Sequence, residues 1–90
     1  MEQLLEQPVS LHGLRVGHVV DVIMDAAEGL PMGLEVRCLD RRHRFLPMAA
    51  ATPVGDEVVI DSPFALLETD ALEFYRGRGV SLRRGRESAA

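Results

Sequence analysis

Gly13-Leu14-Arg15-Val16-Gly17-His18-Val19-Val20-Asp21-Val22-Ile23-Met24-Asp25 is the stretch on which the fold turns. From Gly17 to Asp25 it reads as one long β-strand that opens on a glycine and runs out into a turn. Side chains alternate faces along a strand, so Val20, Val22 and Met24 share one face and Val19, Asp21 and Ile23 the other. Both faces are largely apolar, which predicts cover on each side, with Asp21 the polar exception. Asp25-Ala26-Ala27-Glu28-Gly29 reads as a turn whose glycine supplies a positive φ. Leu30 to Leu39 then alternates cleanly. Leu30, Met32, Leu34, Val36 and Cys38 form an apolar face, and Pro31, Gly33, Glu35 and Arg37 a wet one. The two segments predict an antiparallel hairpin.

Outward from this pair, Pro8 to His12 predicts a first strand and Gly13 a sharp bend. Asp40-Arg41-Arg42-His43-Arg44 is a charged turn, and Phe45-Leu46-Pro47-Met48 a short strand ended by proline. Ala49 to Val54 reads either as a helical turn or as extended chain. Glu57 to Asp61 is the last strong strand. The period then changes. Ser62 suits an N-cap and Pro63 a first helical residue, and Phe64, Leu67, Ala71 and Phe74 recur as one helical stripe. A helix is expected from Pro63 to Arg76, with Thr69 as its point of breakage; Asp70 with Glu73 would cap a shorter one. Gly77 and Gly79 end it, and Val80-Ser81-Leu82 adds a short strand. The prediction is one domain over residues 1–82, its helical segment at about 63–76, and a basic, disordered tail over 83–90.

Composition narrows the class. An apolar fraction of 47% in a 90-residue chain argues for a folded core rather than disorder. No apolar run reaches the length of a membrane span, and the acidic N-terminus does not resemble a secretory signal. Cys38 is the sole cysteine, so no intrachain disulfide and no multi-thiolate metal site is expected, in keeping with a cytoplasmic setting. The net charge of −4 is uneven. Residues 1–75 carry thirteen acids against five Arg, and residues 76–90 five Arg against one Glu. Such a tail can seek anionic partners or lie back on its own domain.

The order Gly13-x-x-Val16-Gly17-x-Val19-x-Asp21-Val22-Ile23-x-Asp25, a glycine-containing turn, an alternating strand, Phe45-Leu46-Pro47-Met48 and Val58-Val59-Ile60 resembles the PRC-barrel family, over roughly Leu11 to Asp61. The resemblance implies an all-β fold, a small antiparallel barrel of about six strands with a C-terminal helix added here. It implies protein contacts as the work of the domain and carries over no catalytic residue. Known settings of the family are the H subunit of photosynthetic reaction centres and the C-terminal domain of a ribosome maturation factor. With no membrane helix or partner domain ahead of the barrel, neither whole protein is expected here.

Candidate residues follow from these readings. Gly13, Gly17, Asp21 and Pro47 are structural. Glycines that precede a strand do not make a phosphate loop, which needs a helix after them. Asp21 should accept hydrogen bonds from neighbouring backbone or from Arg15, and no acid–base partner accompanies it. His12, His18 and His43 lie on separate segments, so no metal is predicted, and no cofactor or catalytic set either. Arg41, Arg42 and Arg44 on the turn, with Arg76 and Arg78 after the helix, form cationic candidates for a partner surface. Phe64, Leu67 and Phe74 either cover the barrel or form a self-association face. The function expected is a non-catalytic module that self-associates as a homodimer and docks on a protein. The alternative is an RNA- or ribosome-associated factor gripping phosphates through its Arg clusters.

Overall fold

The computed structural model describes residues 2–89. Seven strands make one sheet: β1 (Pro8–Leu11), β2 (Leu14–Asp25), β3 (Pro31–Cys38), β4 (His43–Pro47), β5 (Thr52–Val54), β6 (Glu57–Ile60) and β7 (Gly79–Ser81). Two helices, α1 (Thr69–Arg78) and α2 (Leu82–Ala89), flank β7. The mostly β class expected from sequence is present. The sheet runs β4-β3-β2-β1-β6-β5, with β7 also paired to β2, and it stays open between β4 and β5 rather than closing. One pairing departs from the antiparallel expectation: β1 and β6 run parallel, Val9 opposite Val58.

β2 is longer than its sequence suggested, because pairing with β1 begins at Leu14. His12 (φ 49°) and Gly13 (φ 83°) form the two-residue link between them, both in the left-handed region that such tight hairpins demand. At the far end Asp25 closes the predicted turn, its Oδ1 accepting from the N–H groups of Ala27 and Glu28 at 2.8 Å each. β2 then meets β3 along most of its length.

Strict alternation along β2 fails at Val20. Val19 faces Val36 and Asp21 faces Glu35, with Val20 bulged out between them. An extra residue in one strand flips the side chains beyond it. Val19 and Val22 therefore enter the same core, although simple counting put them on opposite faces. That core also holds Val9, Leu34, Val36 and Leu46, all fully buried, with Val58 and Ile60 from β6. Strands from across the sheet bury one face in a single cluster, so the sheet is curled around it.

The opposite face of β2–β4 carries a second cluster of Ile23, Phe45 and Leu72, edged by Met32, Leu67 and Tyr75. It exists because α1 lies over the sheet, and it corrects three expectations. First, the face expected to be wet is dry at Gly33 and Glu35, both buried. A Cβ on Gly33 would run into the Phe45 ring and stand 2.6 Å from the Leu46 carbonyl oxygen. Second, the helix does not run from Pro63. A 3₁₀ turn at Pro63–Ala65, capped by Ser62 as predicted, gives way to an extended bridge in which Leu67 exchanges both backbone bonds with Phe45. The helix starts afresh at Thr69, so the stripe counted from Phe64 loses its phase. Leu72 is 1% exposed, whereas Phe64 and Phe74 are 88% and 53% exposed. Third, residues 83–89, expected as a disordered tail, continue helically in α2, whose first turn is pinned to β2; Ala90 lies outside the described residues.

Ala49 to Val54 contains both predicted forms, a 3₁₀ turn at Met48–Ala50 and then β5. Among the described residues, no helix is long and apolar enough to cross a membrane.

Candidate functional site

Asp21 and Glu35 stand opposite one another on β2 and β3, on the face that the C-terminal segment covers. They are 8% and 3% exposed. A buried carboxylate is tolerated when donors or cations take up its oxygens, and both are so held. Asp21 accepts from its neighbour Val22 N–H at 2.8 Å, from Arg83 N–H at 3.0 Å and from the Ser81 hydroxyl. Ser81 Oγ in turn accepts from Arg84 N–H at 3.0 Å, which places Ser81 as the cap of α2. Glu35 takes the Arg76 guanidinium on one oxygen and His43 Nδ1 on the other. The backbone bonds foreseen for Asp21 are there; Arg15 is not among its partners.

Sequence reasoning missed Glu35, because it read the face as solvated. The available signal was Gly33, two residues earlier on the same face. A glycine inside a strand marks the close approach of another group. Gly79 is a second such mark. It ends α1 as expected, whereas Gly77 lies inside that helix, which runs on to Arg78. A Cβ on Gly79 would meet Ile23 Cγ2 at 2.6 Å and the Met24 carbonyl oxygen at 2.7 Å, where β7 seats against β2.

The remaining candidates divide. Gly17 is buried where β2 crosses β3, a Cβ there falling 2.5 Å from the Arg37 carbonyl oxygen. Pro47 ends β4 opposite Gly33. Of the cationic set, Arg76 is engaged by Glu35, and Arg78 lies over the Phe74 ring at 4.5 Å. Arg83 pairs with Glu6, so much of the basic segment does lie back on its own domain. Arg44 grips Asp40 through two bonds of 3.1 and 2.9 Å, while Arg41 and Arg42 point from the turn with exposed side chains. Among the described residues, no three His, Cys, Asp or Glu side chains converge as a metal site.

The Arg44 guanidinium, helped by the Arg42 N–H, holds the Asp40 carboxyl down at about 2, from an ordinary 3.8. A carboxyl whose folded value is depressed stabilises the fold above its unfolded value, and this is lost as the pH falls through the folded one. The window is therefore about pH 4 down to about 2. We expect the Asp40 carboxyl carbon to titrate near 2 in an NMR pH series, and Arg44→Ala to return it toward the ordinary carboxylate range. An unmoved midpoint in Arg44→Ala would assign the shift to another cause.

Arg44, Phe64 and Leu67 come together at one groove of about 640 Å³, with Val16, Leu39 and Leu66 in its walls. Phe64 and Leu39 beside it are 88% and 73% exposed. Phe74 is elsewhere, edge-on to Tyr75 on α1. Two further clefts open on the covered face of β2–β4. One of about 650 Å³ lies between the sheet and the C-terminal segment. The other, about 470 Å³, lies beside the β1–β2 hairpin, and Arg37 borders both.

Fold and surface together define a small, mostly β domain whose exposed features are an apolar groove and two cationic clefts. The model of the PRC-barrel domain family matches residues 9–67, well over half the chain. The chain belongs to the PRC-barrel family. A comparison with curated proteins found no match. The family match ends at Leu67, the residue bridged to β4, so α1, β7 and α2 all follow it in sequence.

Proposed function

We propose that this domain is a non-catalytic, cytoplasmic protein-interaction module that self-associates through the groove beside Phe64. The family supports interaction in general terms. The observation that carries the specific reading is the exposed Phe64 ring next to an apolar groove in the same patch. A two-fold interface needs one surface that holds both the projecting group and the recess for it. The rim carries both signs, Arg44 standing 4.0 Å from Glu68 and bonded to Asp40, so two copies can meet without uncompensated charge.

Strand edges are poor docking sites here. Leu67 occupies the β4 edge at Phe45, and β5 is three residues long with Pro53 at its centre. Side-chain burial is left as the means of association. A non-catalytic role is supported by the engagement of Asp21 and Glu35, whose oxygens are taken up by structural donors.

Sedimentation equilibrium should give twice the chain mass at micromolar concentrations. Phe64→Ser should weaken association by about 100-fold or more, since each copy loses a buried ring, with the circular dichroism unchanged. A wild-type monomer at every concentration would overturn the self-association.

A further inference from the structure

A cationic band crosses the covered face. His18 on β2 and His43 on β4 both stand opposite Arg37 on β3, so the three form one row across the sheet. Arg84 from α2 and Val80 from β7 border the first cleft with Arg37 and Val20. Arg15 and Arg41 border the second with Arg37, Pro8 and Leu39. Of the carboxylates in the same region, Glu35 is paired with Arg76 and His43 and Glu6 with Arg83, while Asp21 at the edge of the first cleft is turned onto three neutral donors. Among the described residues, the guanidinium groups of Arg15, Arg37, Arg41 and Arg84 have no carboxylate within ion-pair distance. The chain as a whole carries −4, so this concentration of unmatched positive charge is local and oriented.

We propose that the two clefts together bind an acidic, partly aliphatic segment of a protein partner, running across Arg37. Carboxylates of the segment would pair with Arg37, Arg84, Arg15 and Arg41, in the planar fork geometry that guanidinium offers. Its aliphatic side chains would pack on Val80 and Leu39, which are 51% and 73% exposed. No Phe, Tyr or Trp side chain borders either cleft, and His43 is engaged by Glu35, so the broad stacking platform that single-stranded nucleic acid uses is missing. The proposal rests on the reading of the domain as a protein-interaction module, but uses a surface centred away from Phe64.

The test is fluorescence anisotropy with a short labelled peptide of alternating Glu and Val, against a single-stranded RNA of matched charge. The peptide should bind with a salt-dependent affinity. Arg37→Gln with Arg84→Gln should weaken it about tenfold or more at unchanged circular dichroism, and Phe64→Ser should leave it intact. Absence of peptide binding, preference for the RNA, or wild-type affinity in the Arg37/Arg84 variant would each overturn the proposal. A wild type that binds the peptide yet sediments as a monomer would remove self-association alone and support the cleft.

Discussion

Val36→Asp abolishes the cooperative folded state, whereas Arg37→Asp, one residue along β3, changes stability by no more than about 1 kcal/mol. Val36 is 0% exposed and sits in the core between Val19 on β2 and Arg44 of β4 in register. The substitution removes about 2 kcal/mol of apolar burial. It also places a charge in the apolar core, where the nearest cation, Arg44 across the β3–β4 ladder, is already held by Asp40, at a further cost of several kcal/mol. A domain of this size has about 5–13 kcal/mol in total, so most or all of it is consumed. Arg37 turns the other way, exposed at the junction of two clefts and without an ion-pair partner among the described residues, so little is lost with it. Thermal melts followed by circular dichroism decide the matter. Equal losses in the two variants would mean that the inner and outer faces of β3 are wrongly assigned.

Asp21→Ala is the second large effect, expected at about 3 kcal/mol. It strips the acceptor from Val22 N–H, Arg83 N–H and the Ser81 hydroxyl at once. Bonds to a charged acceptor contribute about 1.5–3 kcal/mol each, and relief of the buried charge offsets part of that. The loss falls unevenly over the molecule. Val22 remains locked in the β2–β3 ladder, while α2 loses its tether. Asp21→Asn keeps shape and one acceptor, and should cost less than half as much in chemical denaturation. Equal losses in Asp21→Ala and Asp21→Asn would show that the carboxylate's charge, and not an acceptor oxygen that the amide retains, holds α2.

The strands were legible because their signal is local. β3 announces itself by alternation, and the turns around it by Gly29 and by Asp40 to Arg44. What was not legible depends on contacts distant in sequence. The bulge at Val20 leaves no mark in a run of valines, so counting by twos placed Val19 and Val22 on opposite faces. Glu35 looks like an ordinary solvent-facing residue until α1 is laid over it with Arg76. The α1 phase was lost because Leu67 is recruited into a bridge with Phe45, which resets the helix at Thr69. α2 has the composition of a solvated tail. Its order comes from Asp21, which binds the first turn from the middle of β2. The same carboxylate that broke the apolar pattern of the decisive strand thus explains a helix at the other end of the chain.

The grooves and clefts inherit their walls from this arrangement. Remove the C-terminal segment and Arg84 and Val80 leave the first cleft, while Glu35 loses Arg76. The central claim is therefore that Asp21 anchors α2 on the sheet. Amide hydrogen exchange measured by NMR at Arg83 tests it most directly, with the Val19 amide, bonded to the Gln7 carbonyl at 2.8 Å, as the reference within the sheet. The account predicts a protected Arg83 amide in the wild type. In Asp21→Ala it predicts exchange at the rate of unstructured chain at Arg83 while Val19 stays protected. Free exchange at Arg83 in the wild type, or undiminished protection in Asp21→Ala, would contradict it.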